Sequence, residues 1–139
     1  MSVRQKNILL CTGGLLIGGA VYLLFREGSY LSHLFDGIPL LSLLRDIFNG
    51  TAGTHISFYL PDFLWAFSLC CGIQAIYLPK GMGIYVAGLA ALACGLIWEI
   101  LQRTAVVSGT GDYWDILMYF LGSVLAILVN KRRENHEKT

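Results

Sequence analysis

The chain has 139 residues, of which 55% are hydrophobic and only 14% charged, and its mean hydropathy is +0.62. A soluble domain carries about 25% charged residues, so too little polar surface remains to cover a water-soluble globule, and the same figures exclude a disordered chain. A formal net charge of +1 with no basic stripe excludes an ordinary nucleic-acid binder.

The apolar residues fall in four blocks, 8–25, 58–78, 82–101 and 113–129. A membrane-spanning helix needs roughly 17–25 mostly apolar residues, and helices are the default spanning element because each backbone amide must be paired within its own segment. The expected fold is therefore an all-α polytopic membrane protein. A single transmembrane domain over 1–139 would hold four transmembrane helices. The first block follows Arg4 and Lys6 and lacks a small-x-small cleavage site, so an uncleaved signal anchor is expected. Gly14 and Gly18 give it a docking face of small residues.

Residues 26–56 form the longest connection. Within it Leu40, Leu41, Leu44, Ile47 and Phe48 recur at helical spacing, Pro39 suits a first helical turn, and Asn49-Gly50 suits an end. A short amphipathic helix over 39–48 is expected in this first outer loop. It would lie on the outer membrane surface or cap the bundle, serving for packing alone or as a lid. Asn49-Gly50-Thr51 matches a glycosylation triplet, although a helix stop explains Asn-Gly without sugar. His33 and His55 have no partner at ligand spacing.

The second and third blocks are joined by Leu78-Pro79-Lys80-Gly81, a turn that makes them an antiparallel hairpin. The fourth block ends at Asn130-Lys131-Arg132-Arg133, suited to a helix C-terminus and to anionic lipid. The tail from 134 to 139 is expected to fray. With both termini in the cytoplasm, seven of the ten Lys and Arg lie inside (Arg4, Lys6, Lys80, Lys131, Arg132, Arg133 and Lys138). Arg26, Arg45 and Arg103 lie outside. That asymmetry fits the positive-inside rule, and the localisation expected is a multi-pass cell-membrane protein.

In this topology Asp62, Glu99, Asp112 and Asp115 all lie toward the outer side. An acidic side chain in hydrocarbon costs about 2.5–3.5 kcal/mol at mid-membrane, so such groups should face the bundle interior. Ala87, Ala91, Gly95 and Glu99 form one stripe of the third block. Asp115, Tyr119, Gly122 and Ala126 form one on the fourth, and Asp62, Trp65, Leu69 and Gly72 share a face of the second. The three stripes can converge on an outward-facing acidic pocket lined by Asp62, Glu99, Gln102, Asp112 and Asp115, with Trp65 and Tyr119 as walls. A structural account competes with this: Asp62 and Asp112 as helix caps, and Glu99 paired with Arg103 one turn on.

Three chemistries fit the pocket. Glu99, Asp112 and Asp115 could hold a divalent cation such as Mg²⁺ or Ca²⁺. A desolvated carboxyl could act as general acid or base. The cavity could instead bind a cationic or hydroxyl-rich head group. Cys11, Cys70, Cys71 and Cys94 all sit in apolar blocks without metal-ligand spacing and read as core or lipid-facing residues. No phosphate loop, nucleotide fingerprint, HExxH motif or nucleophile elbow is present. Trp65, Trp98 and Trp114 read as interfacial belt residues, the more common case, and Trp65 and Trp98 could instead line a sugar-binding or lipid pocket.

The stretch WEILQRTAVVSGTGDYWDILMYFLGSVLAIL resembles the VanZ-like family of small bacterial membrane proteins. The residues carrying the likeness are Glu99-x-x-Gln102, Gly111-Asp112-x-x-Asp115 and Gly122, within 57–130. The chain has Tyr119 where the family often has Asn, and Gly109-Thr110 where it often has Arg. The resemblance implies a cell-envelope protein linked to resistance against lipoglycopeptides such as teicoplanin. Its implied partners are membrane lipid and a lipid-linked cell-wall intermediate or the lipoglycopeptide itself. Two alternatives stand beside it. One is a membrane enzyme that uses carboxylates or a carboxylate-bound cation on a lipid-linked substrate. The other is a structural scaffold or small transporter subunit.

Overall fold

The computed structural model describes residues 1–25, 37–49, 54–77, 80–107 and 111–137. They form five helices and no strand: α1 Val3–Phe25, α2 Pro39–Asn49, α3 Thr54–Tyr77, α4 Met82–Arg103 and α5 Tyr113–Glu137. The four long helices, all but α2, are long and apolar enough to cross a membrane, as expected of an all-α, four-span membrane protein. His33, Leu78, Pro79 and the Gly50-Thr51 part of the glycosylation triplet lie outside the described residues.

Local chemistry moves several boundaries from the hydropathy blocks. α1 starts at residue 3, not 8, because Ser2 and Gln5 close a reciprocal capping box. The Gln5 N–H donates to Ser2 Oγ at 3.2 Å and the Ser2 N–H to Gln5 Oε1 at 2.9 Å. α3 begins at Thr54, so Pro61 lies inside it and Asp62 is an interior residue, which corrects the expectation of a cap there. α4 runs on to Arg103 and closes in a Schellman turn. The Val106 N–H donates to Leu101 O at 3.0 Å and the Ala105 N–H to Gln102 O at 3.1 Å, with Ala105 at φ 55°. α5 does not stop at 130–133: Asn130 Nδ2 donates back to Ala126 O at 3.0 Å, and the helix continues through the expected frayed tail to Glu137. Helix-favouring Lys, Arg and Glu carry it there.

α3 is the central helix and packs on α1, α4 and α5, while α4 also packs on α5 and α2 lies against α1. Between helices in lipid, close packing replaces much of the hydrophobic driving force, and small residues provide it. A Cβ at Gly14 would strike Ser68 Oγ, and one at Gly18 would lie 3.4 Å from Leu64 Cβ, so the expected docking face of α1 is used against α3. A Cβ at Gly122 would collide with the backbone oxygen of Phe63, which places α3 and α5 backbone to backbone. The core holds Phe67, Cys70, Cys71, Ala87, Ala91 and Ala126. The buried line on α3 is therefore Ala66, Phe67, Cys70 and Gln74. The expected face through Asp62, Trp65, Leu69 and Gly72 is only partly covered. All four cysteines are free.

The helices alternate in direction. Arg4 near the start of α1 donates to Ala75 O near the end of α3, and Lys131 late in α5 donates to Tyr85 OH early in α4. One end of the bundle thus gathers Arg4, Lys131 and Arg133, and the opposite end gathers Asp62, Glu99, Asp112 and Asp115.

Candidate functional site

Tyr119 is where three helices meet. It is 2% exposed, and its ring fits against Gly95 of α4, where an added Cβ would come within 2.6 Å of Cγ. Its hydroxyl lies 3.2 Å from Asp62 Oδ1 on α3 and 3.3 Å from Glu99 Oε1 on α4. Trp65 stands edge-on to the Tyr119 ring at 5.9 Å between centroids. The structure therefore brings together Asp62, Trp65, Glu99 and Tyr119 from separate helices, as their stripes suggested.

Glu99 is also 2% exposed and has a second partner: its Oε2 accepts the Asp112 backbone N–H at 3.0 Å. Asp112 is the N-cap of α5, with Oδ1 accepting the Trp114 N–H at 3.2 Å. In an ordinary capping box a side chain three residues downstream reaches back to the cap N–H. Here a carboxylate from another helix does so, which ties the end of α4 to the start of α5. Asp115 follows in the first turn of α5 and is buried.

Two expectations at this end are corrected. Arg103 does not pair with Glu99. Its guanidinium lies over the Tyr113 ring, 4.1 Å from the centroid, and its stem passes close to Gly111, where an added Cβ would sit 2.6 Å from Arg103 Cγ. Nor do Glu99, Asp112 and Asp115 assemble as ligands for a divalent cation: among the described residues no group of three His, Cys, Asp or Glu side chains could hold a metal ion. The reason is local, since Asp112 turns its carboxylate onto its own helix and Glu99 uses one oxygen on the Asp112 amide. Gln102 is half-buried and makes no side-chain hydrogen bond among the described residues.

The chemistry of the cluster centres on one proton. The phenol carries a single O–H and can donate to one carboxylate at a time. A proton on either Asp62 or Glu99 would let both contacts be hydrogen bonds. The phenol thus bridges a carboxyl of α3 and a carboxyl of α4. Trp98 and Trp114 are 45% and 56% exposed at this end.

Sequence reasoning missed the opposite end. Arg133 Nη1 donates to Asn7 Oδ1 at 3.1 Å, Arg4 Nε donates to Ala75 O at 3.1 Å, and Lys131 Nζ donates to Tyr85 OH at 2.6 Å. Asn7 is 1% exposed although it precedes the first apolar block. Its helical position after Ser2-x-x-Gln5 was the available signal. In comparisons with known proteins, no family model, no curated protein and no solved structure matches this chain.

Proposed function

We propose that the chain is a VanZ-like cell-envelope protein of the cell membrane, with both termini in the cytoplasm and its acidic end facing outward. There it binds or modifies a surface or lipid-linked molecule and contributes to protection against lipoglycopeptides such as teicoplanin. The observation that carries this reading is the junction of Asp62, Tyr119 and Glu99, locked to the Asp112 amide. Glu99 and Asp112, with Asp115 and Gly122, are among the residues on which the resemblance rests, and Tyr119, where the family often has Asn, links Glu99 to Asp62. The orientation is supported by Arg4, Lys131 and Arg133 lying at the other end. A buried Glu is costly in a membrane and marks function there by default. The lipid-linked cell-wall intermediate and the lipoglycopeptide are the partners proposed, alongside membrane lipid.

The test is teicoplanin susceptibility in cells carrying the wild type, Glu99→Gln or Asp115→Asn at matched protein levels. The expected result is that the wild type protects and both variants do not. Protection by both variants, or none from the wild type, overturns the reading. The single proton at Tyr119 favours a second reading, an enzyme doing acid–base work on a lipid-linked substrate. Altered cell-wall lipid intermediates on deletion, restored by the wild type but not by Tyr119→Phe, would single it out.

A further inference from the structure

We infer that α2 is an interfacial helix that inserts a stripe of three aliphatic side chains, Leu40, Leu43 and Ile47, into the lipid leaflet at the acidic end of the bundle. At roughly 100° per residue, residues 40–47 of the eleven-residue α2 divide into three arcs. Leu41, Leu44 and Arg45 are half-buried on the side toward α1. Leu40, Leu43 and Ile47 adjoin them and are 63%, 55% and 57% exposed. Ser42 and Asp46 occupy the remaining arc and are also exposed. A helix lying on a membrane protein surface in water needs two arcs, protein and solvent. Three arcs, one of them apolar and uncovered, match a helix at the junction of protein, lipid and water.

The depth of α2 is set by Arg45. Its Nε and Nη2 both donate to Leu23 O, at 3.1 Å and 2.9 Å, in the last turn of α1 before Phe25. A cation at the last turn of α1 suits the negative end of that helix dipole. The anchor fixes α2 at the rim of a span whose own flank is apolar and exposed at Leu15, Leu16 and Ile17. The uncovered stripe continues that lipid-facing flank to the level of the head groups. Three aliphatic side chains fall far short of the roughly 800 Å² per partner that a stable protein interface needs, which argues against a second copy as the occupant. The packing of α2 is on α1, whereas Tyr119 is held by α3 and α4, so nothing in that packing calls for a lid.

The test is nitroxide accessibility in the full chain, reconstituted in vesicles of phosphatidylethanolamine and phosphatidylglycerol. Cys70 and Cys71 are fully buried and stay, while Cys11 and Cys94 are changed to Ala. Single labels go at Leu40→Cys, Leu43→Cys, Ile47→Cys, Ser42→Cys and Asp46→Cys, each checked for native helix content. Protein labelled at its native exposed Cys94 in α4 is the lipid-facing standard. The expected result is that labels at 40, 43 and 47 are relaxed by oxygen more than by a water-soluble nickel complex, as at Cys94. Labels at 42 and 46 should show the reverse. Nickel-dominated relaxation at 40, 43 and 47 overturns the inference in favour of water. Protection from both reagents overturns it in favour of a covering protein surface, either a second copy or closure onto the bundle.

Discussion

The two ends of the bundle solve the problem of polar groups in different ways. At the basic end, Arg4, Arg133 and Lys131 each reach a neutral acceptor: a helix-end carbonyl, an amide oxygen and a phenol. Long cationic side chains can do this while keeping their heads near the membrane rim. At the acidic end the short carboxylates cannot reach out, so they are brought to one another through Tyr119 and to the α5 amide through Glu99. Cations at a rim are accounted for by topology alone. Carboxyls packed together inside the bundle are not, and that contrast is what supports placing the proposed function at the acidic end.

The largest effect expected at the acidic end comes from removing its clearance. Gly122→Val would drive a side chain into the Phe63 carbonyl, which cannot yield as a flexible side chain would. We expect a loss of about 3 kcal/mol, read as thermal unfolding in detergent, with the α3–α5 seam opening. Next, Glu99→Leu leaves the Asp112 N–H without its partner and should cost about 2 kcal/mol. At the basic end, Arg133→Met leaves the buried Asn7 oxygen without its donor and should cost about 1 kcal/mol. On the function proposed above, it should leave teicoplanin protection per molecule unchanged, whereas Glu99→Gln should remove it. Equal effects of both on protection would erase the distinction between the ends. Ala105→Gly should stabilise by about 1 kcal/mol, because a left-handed residue closes α4 there. A drop in melting temperature would show that the turn after α4 is held in some other way.

How far the sequence reveals this arrangement depends on the range of the interaction. The spans and the stripes of α4 and α5 were legible because small residues and acids repeat at helical intervals, and Ala87, Ala91, Gly95 and Glu99 are all buried. The start of α1 was legible in principle from Ser2 and Gln5 but hidden by a reading that weighed hydropathy first. The competing account of Asp62 as a cap fails because, although Pro61 suggests a helix start, the segment from Thr54 carries the helix a further two turns upstream. The partner of Arg103 was not legible. The choice of Tyr113 over Glu99 depends on how the Schellman turn at 101–106 and Gly111 bring α5 back alongside α4, a geometry that residue spacing does not encode.

The central claim is that acidic groups from separate helices are coupled through Tyr119. A double-mutant cycle of Tyr119→Phe and Glu99→Leu, read as unfolding free energy in detergent, tests it most directly. Hydrogen bonds between membrane helices average about 0.6 kcal/mol and reach about 1.7. The account predicts a coupling within that range, with Tyr119→Phe alone costing about 0.6 kcal/mol. Strictly additive losses would contradict it, since the phenol and the carboxyl would then act independently.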